Sequence, residues 1–358
     1  MDTKNVIAAI SLSAAVIILY SLFFAPPPIT KEQLAEKNKT EQNSDAPSLD
    51  QKETVTEITR EEALSQNKRI QFENQSIVGS ISLKGAAIDD LTFKEYNVAL
   101  ESDEKVKLLS PRNTKDGYFI ESGFITTDKN IDIPDSNSVW SVLGNSKLTN
   151  QSPVKLSWTN DQGITFEKQI TLDDNFLFTI NQKVINSTNK NYDFYSYGQI
   201  IRKEIPDISN FYILHEGLLA TLDEELIEED YDDIQEEKFS RTSQKGWLGI
   251  SDKFWITSLI PPSGKEFKTT FDYKDKFRAN FVATDPLELR GNSSIEDKLQ
   301  IIVAAKRVDI IDGYAESLNI DKFDLAIDWG FLYFITKPLF HGIDYFFKLL
   351  GNYGLAII

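Results

Sequence analysis

The stretch Val154-Lys-Leu-Ser-Trp-Thr-Asn-Asp-Gln-Gly-Ile-Thr-Phe-Glu-Lys-Gln-Ile170 decides the fold class. Val154, Leu156 and Trp158 alternate with polar residues, and Ile164, Phe166 and Ile170 share a single parity in the second half. A period of two is that of a strand with one face buried. Between the halves, Thr159-Asn-Asp-Gln-Gly163 carries turn chemistry, so the stretch predicts an antiparallel hairpin.

The same grammar runs outward from this hairpin. Upstream stand Ile70-Gln-Phe72, Ile77 to Lys84 and, after a turn at Gly85, Ile88 to Phe93. Downstream come Phe176 to Ile185, closed by Asn186-Ser-Thr-Asn189, then Phe254 to Ile260, Phe271-Asp-Tyr273, Phe277 to Val282 and Lys298 to Val303. Many short alternating strands with few helical windows between them indicate a mainly β protein, an antiparallel β-sandwich. No repeat of 20–50 residues is visible.

Both ends read differently. Residues 6–25 form an uncharged apolar run, long enough to cross about 30 Å of hydrocarbon as a helix. A cleaved signal peptide is the competing reading. Against it stand the length of the run, its bulky Leu22-Phe23-Phe24 end and the lack of an Ala-x-Ala site. Pro26-Pro27-Pro28 stops the helix. Residues 26–68 contain no aromatic residue from Ile29 to Ser65 and are rich in Lys, Glu, Gln, Asn, Thr and Ser, which predicts a disordered tether. Within it, Thr59 to Leu64 has the makings of one helical turn. At the other end, Lys337, His341, Asp344 and Lys348 fall within roughly one sixth of a helix circumference, while Phe334, Ile335, Leu339, Ile343, Phe346, Phe347 and Leu350 fill the rest. So apolar a helix suits the plane of a membrane surface or a groove on a partner. A buried amphipathic core helix is the alternative. Gly351 and Gly354 then interrupt the pattern before Leu-Ala-Ile-Ile358.

The chain has 358 residues, enough for a substantial core, and a formal charge of −17. That charge argues against a nucleic-acid partner and makes any membrane contact hydrophobic rather than electrostatic. The absence of cysteine excludes thiolate catalysis, disulfides and Cys-ligated zinc. No nucleophile elbow, P-loop or dinucleotide fingerprint is present. His215, next to Glu216, lacks an accompanying nucleophile and reads as a locally satisfied residue; His341 belongs to the tail stripe. The acidic run Asp223 to Asp233 lacks the central Gly and alternating ligands of an EF-hand and reads as a solvated loop or helix. No catalytic, cofactor or metal site is expected.

Several quoted segments together resemble the YidC membrane protein insertases, the bacterial branch of the YidC/Oxa/Alb family. In the tail these are Trp329, Lys337-Pro338-Leu339-Phe340 and Gly351-Asn352-Tyr353-Gly354; in the β region, Trp158 to Phe166, Gly85-Ala86-Ala87-Ile88 and Gly246-Trp247-Leu248-Gly249 leading into Phe254 to Pro261. The resemblance spans nearly all of the chain except the tether. It implies a periplasmic β-supersandwich shared with sugar mutarotases, an inner-membrane location, and a role assisting insertion and folding of inner-membrane proteins with or without the Sec translocon. It further implies a short cytoplasmic tail (1–5), a membrane helix (6–25), the tether (26–68), the periplasmic domain (69–322), an interfacial helix (323–350) and the start of a second membrane helix (351–358). The implied partners are the lipid bilayer, nascent membrane proteins, and the Sec translocon with its accessory subunits. Trp329, Phe331, Tyr333, Lys337, Pro338, Phe340, Phe346 and Phe347 are the expected interface residues. In the family a hydrophilic groove dominated by an Arg of the second membrane helix does the insertion work; such an Arg would lie beyond Ile358, so the chain is expected to be a fragment. A membrane-tethered carbohydrate-binding or mutarotase-like protein is the alternative from a different class.

Overall fold

In the computed structural model, which describes residues 57–206, 214–330 and 332–358, the opening stretch is a hairpin of strands Val154–Thr159 and Ile164–Leu172. Trp158 stands opposite Phe166 and Thr159 opposite Thr165. The turn is held by Asn160, a buried residue whose carboxamide is fully used. Its Oδ1 accepts from the backbone N–H of Gln162 (3.0 Å) and of Ile164 (2.9 Å), and its Nδ2 donates to the Asp132 carbonyl (2.8 Å). Gly163 supplies the left-handed backbone, φ 84°, that lets the chain re-enter the sheet. The next strand, Leu177–Asn186, pairs with Ile164–Leu172 over its whole length.

Two antiparallel sheets result among the described residues. The nine-stranded one runs, from edge to edge, Glu225–Asp230, Gly217–Leu222, Gly246–Ser251, Trp255–Ile260, Ser294–Ala305, Leu177–Asn186, Ile164–Leu172, Val154–Thr159 and Ser141–Leu143. The path of the eleven-stranded one runs Phe239–Ser243, Phe267–Tyr273, Phe277–Ala283, Tyr192–Arg202, Tyr118–Ile125, Ile88–Asn97, Ile77–Ser82, Arg69–Glu73 and Lys147–Leu148, with Leu287–Leu289 and Lys105–Leu109 paired at its side. Lys147–Leu148 alone pairs in parallel. Aromatic side chains from opposite sheets meet in the core: Phe72 against Phe178 (ring centroids 5.1 Å), and Phe166 against Phe124 (6.5 Å) and Phe194 (5.7 Å). The mainly β two-sheet architecture is the expected fold class.

Two expectations are revised. The acidic run is neither a loop nor a single helix: Glu225–Asp230 is an edge strand paired with Gly217–Leu222, and Tyr231–Glu236 is a short helix. Backbone pairing with a buried strand outweighs the repulsion among its carboxylates, whose solvated side chains also discourage another chain from adding to that edge. The end of the expected tether is ordered as well. Helix Arg60–Ser65 has a reciprocal cap between Thr59 and Glu62, and Arg60 forms a salt bridge with Asp90, so residues 57–68 are tied to the domain by polar contacts together with the burial of Ala63. The expected membrane helix (6–25) and the tether as far as residue 56 lie outside the described residues.

Replacing Asn160 by Ala leaves the buried Ile164 N–H unpaired and removes the bond to the Asp132 carbonyl, and is expected to cost about 1–3 kcal/mol in urea unfolding. Asn160→Asp, which keeps the acceptor, is expected to cost less. Equal losses for both variants would show that the turn does not depend on those bonds.

Candidate functional site

The tail turns off the β domain through a 3-10 turn, Phe323–Ala326, whose Phe323 and Ala326 are buried, and through Gly330 at φ 70°. Helix Tyr333–Leu350 follows. Gly351, in the left-handed region (φ 66°), ends it and donates its N–H to the Phe347 carbonyl at 2.7 Å. Asn352 then caps a second short helix, Tyr353–Ile357, accepting from Leu355 N–H at 3.2 Å. Phe347 and Tyr353 stack across the joint, centroids 3.8 Å apart and nearly parallel at 9°. None of the described helices is long and apolar enough to cross a membrane.

The polar stripe is turned toward the domain. Lys337 Nζ lies 2.8 Å from Asp324 Oδ2 and 3.4 Å from Asp312 Oδ1, and His341 Nε2 lies 3.6 Å from Asp312 Oδ2. Asp312 sits on helix Val308–Ser317. Partial burial pulls the Lys337 ammonium down, but the hydrogen bond and charge of Asp324, joined by Asp312, outweigh it and hold its pKa above the ordinary value. Lys348 bonds Asp344 within the helix at 2.7 Å, which raises its pKa. Trp329 organises the entry. Its indole N–H donates to the Asp324 carbonyl (3.1 Å), its ring lies 5.9 Å from the Lys337 ammonium, and Phe340 meets it edge-on at 5.5 Å.

The opposite surface is bare and oily. No residue of the helix is buried; Phe334, Leu339, Tyr345 and Leu349 are each at least 60% exposed, and Tyr333 and Phe346 are about half exposed. An amphipathic helix of a water-soluble domain places its apolar face inward; here the salt bridges face inward and the apolar face outward. A contiguous apolar surface of this kind marks an interaction site. Of the expected interface residues, Tyr333, Pro338, Phe340 and Phe346 are exposed on this helix, Lys337 and Phe347 are half-buried on it, Trp329 is half-buried before it, and Phe331 lies outside the described residues. The sequence reading missed Asp312 and Asp324. The available signal was charge complementarity: a stripe with three basic positions follows a segment holding Asp309, Asp312, Asp321, Asp324 and Asp328.

His215 stands apart from this surface. Its ring nitrogens face Asp230 Oδ1 (3.3 Å) and the Leu218 carbonyl (3.2 Å), and its backbone N–H donates to Asp328. Glu216 accepts from the Lys253 N–H at 2.7 Å. Both are spent on local bonds. Among the described residues no group of three or more His, Asp or Glu is placed to hold a metal ion.

Because the Lys337 pair is partly exposed, Lys337→Ala is expected to leave the unfolding of the β domain within about 1 kcal/mol of the parent. The same change is expected to speed amide exchange in Tyr333–Leu350 by roughly fivefold. Unchanged exchange in the helix would mean that the aspartates do not hold it.

A family model of the YidC periplasmic domain matches residues 69–341. Over 359 aligned residues the chain is 71% identical to the membrane protein insertase YidC of Pelagibacter ubique (strain HTCC1062), an alignment covering 100% of this chain and 64% of that protein. It is 37% identical to the membrane protein insertase YidC of Rickettsia prowazekii (strain Madrid E), covering 99% and 64%. The chain therefore spans less than two thirds of the length of these relatives. Among solved structures it is similar to a galactose mutarotase related enzyme from Lactobacillus acidophilus, with a TM-score of 0.48 and 11% identity over 66% of this chain and 98% of that one. A likeness at that level carries no functional weight. The match across residues 69–341, together with identity over the whole length, establishes that the chain belongs to the YidC family and holds its periplasmic domain.

Proposed function

We propose that this chain is the anchored, periplasmic part of a membrane protein insertase. In this reading residues 6–25 cross the inner membrane, residues 26–68 lead to the periplasmic domain at 69–322, the tail helix lies on the periplasmic face of the bilayer, and residues 351–358 begin a second membrane segment. The observation that carries the proposal is the inverted helix: Lys337 and His341 face Asp312 and Asp324, while Phe334, Leu339, Tyr345 and Leu349 face outward. A helix held to an acidic domain by its charges offers the bilayer its apolar surface, each fully buried side chain contributing about 1.5–3 kcal/mol. Trp329, Phe331 and Tyr333 belong at headgroup depth and Phe340, Phe346 and Phe347 at the acyl boundary.

The relatives named membrane protein insertase support the activity. The complete protein assists insertion and folding of inner-membrane proteins, with or without the Sec translocon, whose subunits dock on the β domain. It does so without covalent chemistry, by lowering the cost of moving polar backbone into hydrocarbon, where an unpaired group costs several kcal/mol.

The sequence contains no cysteine, so single nitroxide labels report one position each. In bilayers, labels at Phe334→Cys, Leu339→Cys, Phe346→Cys and Leu349→Cys are expected to be more accessible to oxygen than to a nickel chelate, and one at Asp344→Cys the reverse. Water-like accessibility at every position would sink the interfacial placement. Depletion of the full-length protein is expected to block insertion of small inner-membrane proteins; normal insertion would reduce the chain to a tethered scaffold.

A further inference from the structure

A cleft of about 600 Å³ opens on the β domain, and none of its lining residues belongs to the tail. It begins with an anomaly in the opening hairpin. Ile164, Phe166, Lys168, Ile170 and Leu172 form the buried series of their strand, yet one of the five is a lysine. Gln182 pairs with it in register on the next strand. In the other sheet Glu121 and Gln199 form a second cross-strand pair. All four line the cleft, and all are at most 5% exposed.

Part of their bonding capacity is met by the protein. Lys168 Nζ donates to the Ser122 carbonyl at 2.6 Å and lies 5.2 Å from the Trp140 ring centroid. Burial pulls this ammonium down to about 8, against the raising influence of Glu121. Glu121 accepts from Arg112 and from Gln199 Nε2, the latter at 2.9 Å. The remainder is unmet: Gln182 Oε1, Gln199 Oε1 and Trp140 Nε1 are buried without a protein partner. Each such group costs about 1–3 kcal/mol when its bond is not made. Of the thirteen buried side-chain atoms without a protein partner among the described residues, these three belong to residues that line this one cleft.

The rest of the lining narrows the chemistry. Phe119, Phe124, Phe166 and Tyr197 contribute aromatic walls. Arg112, Lys203 and Lys276 also line the cleft, a cationic grouping in a chain of net charge −17. The Arg112 guanidinium sits 4.9 Å above Phe119, and Lys203 donates to the Thr114 carbonyl at 2.7 Å. Partial burial and then repulsion from Arg112 and Lys203 lower the pKa of Lys276, which a bound anion would relieve.

We propose that this cleft binds a small anionic polyhydroxy compound, a sugar acid or a sugar phosphate, with its anionic group against Arg112, Lys203 and Lys276 and its hydroxyls on Gln182, Gln199 and Trp140. A hydroxyl both donates and accepts, so a hydroxylated ring answers two orphan acceptors and one orphan donor together. The aromatic walls suit the apolar faces of such a ring, and the volume is that of a small-molecule site. An apolar ligand would leave the orphan groups unpaired. The proposal is independent of the tail-helix reading.

The test is calorimetric titration of the 358-residue chain in a zwitterionic, sugar-free detergent, with D-glucuronate, glucose 6-phosphate, D-glucose and inorganic phosphate as probes. Both anionic sugars are expected to bind more tightly than about 1 mM, with glucose and phosphate at least tenfold weaker. Lys276→Gln is expected to bring the anionic sugars to the level of glucose. Gln182→Leu is expected to weaken every sugar at least tenfold while leaving the melting temperature unchanged or raised, because it removes an unpaired acceptor. No heat from any probe up to about 10 mM would overturn the proposal. So would phosphate binding as tightly as glucose 6-phosphate, or affinities unmoved by Lys276→Gln.

Discussion

Phe166 packs on Phe124 and Phe194, and Phe178 on Phe72, so the two sheets are pinned face to face by rings contributed from both sides. Aromatic pairs in favourable geometry, such as the edge-to-face Phe72–Phe178 and Phe166–Phe194, add about 0.5–1.5 kcal/mol beyond the area they bury. Once those rings occupy the interior, the period of two fixes which residues of each strand lie inside, and a slip of one residue would turn a whole strand inside out. The hairpin register, the edge position of the acidic strand and the polar cleft all follow from that arrangement.

Strands with one wet face were legible in the sequence. Val154–Thr159, Ile164–Leu172 and Leu177–Asn186 alternate, and alternation survives translation into burial. Tyr118–Ile125 and Gly217–Leu222 escaped notice because both of their faces are covered, which removes the contrast on which the period depends. Glu225–Asp230 was hidden for the opposite reason: all six of its positions are solvent-facing to some degree and its carboxylates suggested a loop or helix, while its pairing with Gly217–Leu222 depends on a partner no local pattern reveals. The stripe of the tail helix was readable from spacing alone. Its direction was not, because that depends on Asp312 and Asp324, which lie 25 and 13 residues from Lys337 along the chain.

The tail and the cleft illustrate two uses of polar groups by one β domain. At the surface, aspartates take up the charges of a helix and leave its oily side outward. Inside, Lys168 and Gln182 occupy positions that the strand pattern assigns to the core, at a cost in desolvation that neighbouring bonds only partly offset. Departures from the hydrophobic pattern at buried positions are where function is expected.

The bend at Gly351 is stiffer than a glycine suggests. A backbone bond to Phe347, the Asn352 cap and the Phe347–Tyr353 stack lock both sides of it, so the two helices are coupled like the arms of a crank. Rolling of the longer arm would therefore be passed to the shorter one as a change of tilt instead of being absorbed at the elbow.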